Sequence, residues 1–158
     1  MNGRRKFLGQ AALSAGALAL SGRSASQPAG STPTGARVVS TWDFGVQANQ
    51  PAWKVLAAGG GALQAVRQGA RSAGTDLCNP TVGRCGNPDR DGILTLDASI
   101  MDGDGRCGAV AALEDIDHPI SVARRVMEKT PHVMLVGGGA QQFARGQGFT
   151  KQRLLAPQ

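Results

Sequence analysis

The sharpest pattern of apolar and polar positions lies in the middle of the chain. Ile93 to Met101 reads as a strand, Asp102-Gly103-Asp104-Gly105 as a hairpin turn, and Arg106 to Ala112 as the returning strand. Pro119 then opens a helix that places Ile120, Ala123, Val126 and Met127 on one apolar face. His132 to Val136 predicts a buried strand, and Gly138 to Gln147 a short helix closed by Gly148. Upstream, Arg37 to Trp42 is β-branched and aromatic enough for a first strand. Asn49 is placed to cap a helix that opens at Pro51 and stops at Gly59-Gly60-Gly61. A second helix starts near Ala62 and ends by Gly69 or Gly74, with Leu63, Val66 and Ala70 on one face. Asp76 to Gly92, rich in Asn, Pro, Gly and Asp, predicts a loop. Hairpin strands beside paired helices imply a layered α/β fold rather than a parallel doubly wound sheet.

Composition narrows the class. The 158 residues are enough for one domain with its own core, and 41% hydrophobic with 18% charged is the balance of a globular domain. The 23 glycines favour many tight turns over long helices. A net charge of +6 suggests nucleic acid until it is located. Arg4, Arg5, Lys6 and Arg23 are four of the 17 basic residues and sit in a stretch without Asp or Glu. That leaves 13 basic against 11 acidic residues, or +2, for the remainder. No basic stripe with interleaved aromatics remains, so nucleic-acid binding is excluded.

The charged start has its own reading. Gly3-Arg4-Arg5-Lys6-Phe7-Leu8 precedes a short apolar run, Ala11 to Leu20, and a small-residue tail, Ser21 to Ala25. This predicts a twin-arginine-type export signal over residues 1–30, followed by a linker over 31–36 and a domain over 37–158. The apolar run is short for a transmembrane helix, and the alternative is an arginine-capped first helix of the fold. Export places the domain in the periplasm or outside the cell, where Cys78 and Cys85 become a candidate small-loop disulfide or remain two free thiols. Cys107, within an apolar run, is expected as a buried, inert thiol.

Candidate chemistry is sparse. Asp89-Arg90-Asp91-Gly92 and Asp102-Gly103-Asp104-Gly105 resemble the start of a calcium loop. The position that should supply a bidentate Glu is Ile100 or Leu113, so both are expected as turns. Val136-Gly137-Gly138-Gly139-Ala140 has the look of a dinucleotide turn, but Gln142 stands where the third glycine belongs. His118 and His132 have no second ligand type at metal spacing and are expected as capping or core residues. No Gly-x-Ser-x-Gly elbow occurs. Neither a metal nor a cofactor is implied.

Longer stretches carry a more specific signal. Thr41-Trp42-Asp43-Phe44-Gly45, Ala52-Trp53-Lys54-Val55-Leu56, Thr95-Leu96-Asp97-Ala98 and Ile100-Met101-Asp102-Gly103 resemble, in order, the start of the glycosylasparaginase family. Gly108 to Leu113, His118 to His132, Leu135-Val136-Gly137 and Gln147-Gly148-Phe149 continue the likeness, which runs from about Val39 to Leu155. The resemblance implies part of an αββα sandwich of the N-terminal nucleophile hydrolase type, made as a self-cleaving precursor. In such enzymes a threonine freed by the cut carries both the attacking hydroxyl and the amine that serves as its base. The implied reaction is hydrolysis of the amide between N-acetylglucosamine and an asparagine side chain.

That threonine lies in a His-Asp-Thr-type motif downstream of the stretch matched here, so the chain by itself is expected to be inactive. Its catalytic partner would be the β-chain half of the same precursor, and the complete enzyme a possible homodimer. By the same resemblance Trp42, Phe44 and Thr81 are the substrate-binding candidates, with core packing the alternative for the two aromatics. Three departures from the family pattern stand out. Cys85 occupies a glycine position, Gln64 and Arg67 stand where acidic residues are favoured, and Gly138 replaces a frequent Glu. The competing function is a non-catalytic exported remnant or binding module. The plant-type asparaginase branch is disfavoured because its His-Gly-Gly-Ala opening is not found.

Overall fold

The computed structural model describes residues 35–76 and 79–155. The expected export signal at 1–30, most of the linker and Cys78 lie outside the described residues. Among the described residues are four helices and three strands: α1 (Gly45–Ala57), α2 (Ala62–Thr75), β1 (Thr95–Met101), β2 (Cys107–Glu114), α3 (Pro119–Lys129), β3 (Met134–Val136) and α4 (Gly137–Gly146). A single 3-10 turn, Gly83–Cys85, interrupts the loop after α2. The sheet order is β1-β2-β3, with β1 and β2 antiparallel and β2 and β3 parallel. The expected layered α/β class holds.

The hairpin forms where the alternation places it. Asp102 turns the chain: its Oδ1 accepts the N–H groups of Asp104 (3.0 Å) and Arg106 (2.9 Å), and its Oδ2 holds the Arg106 guanidinium at 2.6 Å. Asp89 makes the same kind of turn, accepting from Asp91 and Ile93, both at 2.9 Å. Both carboxylates are thus committed to loop closure, and no metal-binding group of His, Cys, Asp and Glu occurs among the described residues.

Register between β1 and β2 shifts once. Ala98 pairs with Val110 and Leu96 with Leu113, so Asp97 faces two residues, Ala111 and Ala112. This is a β-bulge, and Ala112 takes a left-handed φ of 49°. The Ala112 N–H is donated to Asp97 Oδ1 at 2.7 Å. Because side chains alternate along a strand, the extra residue restores the core side at Leu113, which is fully buried, after Gly108 and Val110.

Helix α3 closes the core over this sheet. Val122, Ala123 and Val126 have no exposed surface, and they cluster with Ile100, Val110, Leu113, Ile116, Ala140 and Ala144. The approach of α3 to β2 is set by Gly108: a Cβ there would lie 2.2 Å from the Ala123 carbonyl oxygen and 2.6 Å from the Met127 amide nitrogen. Helices α1 and α2 pack on each other through Ala52, Ala65 and Gly69. Leu154 leads the last described residues onto Leu94 and Leu96.

Several expectations fail for physical reasons. Arg37 to Trp42 is irregular rather than a strand. Among the described residues no strand lies beside it to complete its hydrogen bonds, and Val39 and Trp42 are 88% and 70% exposed. Helix α1 begins at Gly45, with Pro51 inside and no side-chain cap. The turn Trp42–Phe44 already supplies carbonyl acceptors for the amides of residues 45 to 48, and Asn49 instead accepts the Ser40 hydroxyl. On α2 the buried residues are Ala65 and Gly69, whereas Val66 is 55% exposed. The strand expected at His132–Val136 shortens to three residues, and Met134 and Val136 are exposed because only one face of the sheet is covered. His132 is exposed, and Cys107 is half-buried rather than sealed.

The loop after α2 is anchored from two sides. Gly83, at φ +71°, passes so close to Gly74 that a Cβ would sit 2.0 Å from its carbonyl oxygen. Next to it, Arg84 donates to Asp117 Oδ2 from Nε (3.1 Å) and Nη2 (2.7 Å), and to Gln152 Oε1 at 2.6 Å. Hydrogen bonding to Asp117 raises the Arg84 pKa. Cys85 does not take a positive φ, so its side chain causes no backbone strain. Beside Asp117, His118 takes a left-handed φ of 61° at the N-cap of α3 without capping it through its side chain. Burial lowers the His118 pKa below 6.5. The Asp117 carboxylate opposes that shift, and Arg71, Arg84 and Arg67 reinforce it.

Two outcomes follow from this packing. Gly108→Ala should cost about 3 kcal/mol in urea unfolding, because the new methyl meets helix backbone rather than a movable side chain. An unchanged midpoint would show that α3 does not rest on β2 there. His118 titrates lower in the folded chain than in the unfolded one. Its contribution to stability is therefore intact above about 6.5 and declines as pH falls through and below that value. Unfolding midpoints at pH 7.5 and 5.5 should differ less in His118→Gln than in the parent chain.

Candidate functional site

The three substrate-binding candidates come from separate parts of the chain and line one cleft of about 710 Å³. Its walls are the Ser40–Gly45 turn, the inner side of α2, the Thr81–Gly83 loop and the residues Thr95–Ser99 of β1.

Trp42 and Phe44 reach the cleft because their turn is wound tightly into α1. The Trp42 carbonyl accepts the Gly45 N–H at 2.8 Å, and the Phe44 carbonyl accepts from Gln47 and Ala48 at 3.1 and 3.2 Å. Gly45 packs on Ser40 so closely that any Cβ would overlap its side chain, which fixes the turn against the helix. Trp42 is 70% exposed and Phe44 half-buried. An indole this open offers an apolar, stackable plate at the rim of the cleft.

Thr81 is held by Asn79, a residue only 6% exposed. The Asn79 side-chain carbonyl accepts both the backbone N–H (3.0 Å) and the hydroxyl of Thr81 (2.5 Å). This Asx arrangement, with Gly83 and Arg84 anchoring the next residues, orients the Thr81 hydroxyl beside the cleft.

Ser40, Asp97 and Ser99 were not among the expected site residues, and His118 was expected only to cap or pack, yet all four line the same cleft. The β1 pair had a signal: Thr95, Asp97 and Ser99 are the polar half of the strand's alternation. His118 had none, since its place follows from the left-handed residue that starts α3. Two threonines away from the cleft serve helix ends. Thr75 Oγ1 donates to the Arg71 and Ser72 carbonyls, and Thr130 Oγ1 to that of Val126 at 2.9 Å, closing the ends of α2 and α3. Cys85 and Cys107 are free thiols, and Cys78 lies outside the described residues.

Comparison with known proteins agrees with the likeness read along the chain. Residues 16–155 match the family described as Asparaginase. The chain is 50% identical over 160 aligned residues to an N(4)-(beta-N-acetylglucosaminyl)-L-asparaginase of Elizabethkingia miricola, covering 98% of this chain and 46% of that relative. The enzymes of the same name from Mus musculus and Rattus norvegicus are 48% and 47% identical over 118 residues, 74% of this chain and 34% of theirs. The chain thus spans less than half the length of the curated relatives it matches. With a family match over most of its residues and this level of identity, the chain belongs to the asparaginase family, in its glycosylasparaginase branch.

Proposed function

We propose that this chain supplies one wall of the active site of an amidohydrolase that cleaves the N-acetylglucosamine–asparagine bond. The observation that carries the reading is the convergence of Trp42, Phe44 and Thr81 on one cleft in a chain half identical to a glycosylasparaginase. In this reading Trp42 and Phe44 form the apolar plate against which the substrate lies. The Thr81 hydroxyl, oriented by Asn79, stands near the reacting carbonyl. The nucleophile is a threonine of a downstream half, exposed by self-cleavage of a common precursor. Its amine takes the hydroxyl proton as the oxygen attacks, and donors around the carbonyl stabilise the resulting oxyanion.

The sheet supports a missing partner layer. Met101, Met134 and Val136, on the side away from α3, are 67%, 53% and 56% exposed. Thr95, Asp97 and Ser99 of β1 share this face, and the three exposed apolar side chains beside them are what a second sheet from the downstream half would cover in completing the αββα sandwich. Export through the residues 1–30 signal would carry the folded precursor to the periplasm. A non-catalytic exported module is the competing reading, and the basic residues Arg67 and Arg71 on α2 are the observation that favours it.

The purified polypeptide should release no aspartate from N-acetylglucosaminyl-asparagine. The same polypeptide co-expressed with the C-terminal half of the Elizabethkingia miricola relative should do so. Release by the isolated chain, or none by the complemented one, would remove the enzymatic reading as stated. In the complemented form Trp42→Ala should lower kcat/KM by about tenfold, mainly through KM, as expected when a binding plate rather than a chemical group is lost.

A further inference from the structure

A second cleft, of about 480 Å³, lies between α2 and α3 and is lined by a different set of side chains. Arg67 and Arg71, one turn apart on α2, face Arg124 and Arg125 of α3 across it. The carboxylates on its walls are already engaged. Glu128 holds Arg124 at 2.6 Å and Arg125 at 3.5 Å, and Asp117 holds Arg84 at 2.7 Å. Gln64 Oε1 takes a further hydrogen bond from Arg124 at 2.9 Å. Among the described residues, Arg67 and Arg71 have no ion-pair partner.

Polar atoms buried without a hydrogen-bond partner gather at the same place. Of the five such atoms among the described residues, four belong to this cleft: Arg67 Nε, Arg71 Nε, His118 Nδ1 and Ser121 Oγ. Ser121 is only 7% exposed, so its hydroxyl has no ready access to bulk water. Native structures rarely leave so many polar groups unpaired in one spot. The cleft also meets the N-terminal end of α3, whose first turn carries no acidic residue and whose dipole favours negative charge. Burial, then Arg124, Arg71 and Arg125, push the Arg67 pKa down, and the Glu128 carboxylate opposes them only in part.

We propose that the α2–α3 cleft is a binding site for a tetrahedral oxyanion of the phosphate or sulfate class, held by Arg67, Arg71 and Ser121. The donors arrive from two helices, Arg67 and Arg71 from α2 and Ser121 from α3. A group with oxygens in several directions satisfies them, whereas a planar carboxylate with two oxygens leaves some unpaired. Confinement between two helices and the scarcity of aromatics favour a small anion over a nucleic-acid strand. The site is separate from the Trp42 cleft and does not depend on the reaction assigned to it. His118 is the one titratable residue that lines both.

The test uses the whole 158-residue chain, shown to be folded by far-UV circular dichroism, with inorganic phosphate as the probe. Titration followed by ³¹P NMR at fixed ionic strength should give saturable binding that sulfate displaces and chloride and acetate do not. Arg67→Glu, which places a carboxylate among the remaining arginines, should abolish binding. Arg71→Gln should weaken it about tenfold, the loss of one charge-assisted contact. Arg90→Gln, at an exposed residue far along the loop, should bind as the parent chain does. If Arg67→Glu fails to fold, Arg71→Gln decides alone. No saturable phosphate binding, equal competition by chloride, preferential binding of acetate or an acidic peptide, or unchanged binding in both cleft variants would overturn the proposal.

Discussion

Everything in this chain is arranged around the contact of one helix backbone with one strand backbone. At Gly108 the carbonyl of Ala123 and the amide of Met127 come nearer to β2 than even a methyl side chain would permit. That approach lets Val122, Ala123 and Val126 enter the sheet completely and brings Ile100, Val110 and Leu113 under them. Helix α3 itself begins at Pro119, after the left-handed His118. The start of α3, in turn, places Asp117, His118 and Ser121, which serve the loop anchor and both clefts.

The bulge at Ala111–Ala112 extends the same constraint. Without the extra residue, Leu113 would point away from α3, and the strand would leave the core before Ile116 could join it. Asp97 makes the irregularity tolerable by accepting the amide of Ala112, which the ladder cannot pair. A residue of the polar face of β1 therefore has a structural task as well as a place on the cleft. Its presence in a stretch shared with the glycosylasparaginases is consistent with either one.

Charge is distributed by role. The Arg84–Asp117 pair spans distant parts of the sequence, with Asp117 almost entirely enclosed, and it ties the Thr81 loop to the start of α3 and to Gln152. Such a pair specifies geometry more than it adds stability, since burying the carboxylate offsets much of the attraction. The arginines of α2 and α3 are different in kind, because they gather with too few carboxylates to neutralise them. One cleft is thus apolar with oriented hydroxyls, and the other is cationic. A single turn of chain at His118 divides them.

Much of the architecture was readable in the residues themselves. Alternation and an Asp-Gly-Asp-Gly turn sufficed for the hairpin, and Pro119 with its apolar spacing for α3, because local backbone preferences and burial agree there. Conserved-looking order along the chain was enough to suggest the family and, through it, Trp42, Phe44 and Thr81. Tertiary structure decided what depends on partners distant in sequence. Among the described residues the β-branched Arg37–Trp42 stretch has no neighbouring strand, and the Trp42–Phe44 turn starts the helix earlier, which leaves Pro51 inside it. The inner face of α2 is chosen by α1, which seats Ala65 and Gly69 rather than Val66. The cationic cleft was invisible for the same reason. Arg67 and Arg71 are ordinary surface residues on an isolated helix, and they become unpaired buried donors only when α3 is packed against it.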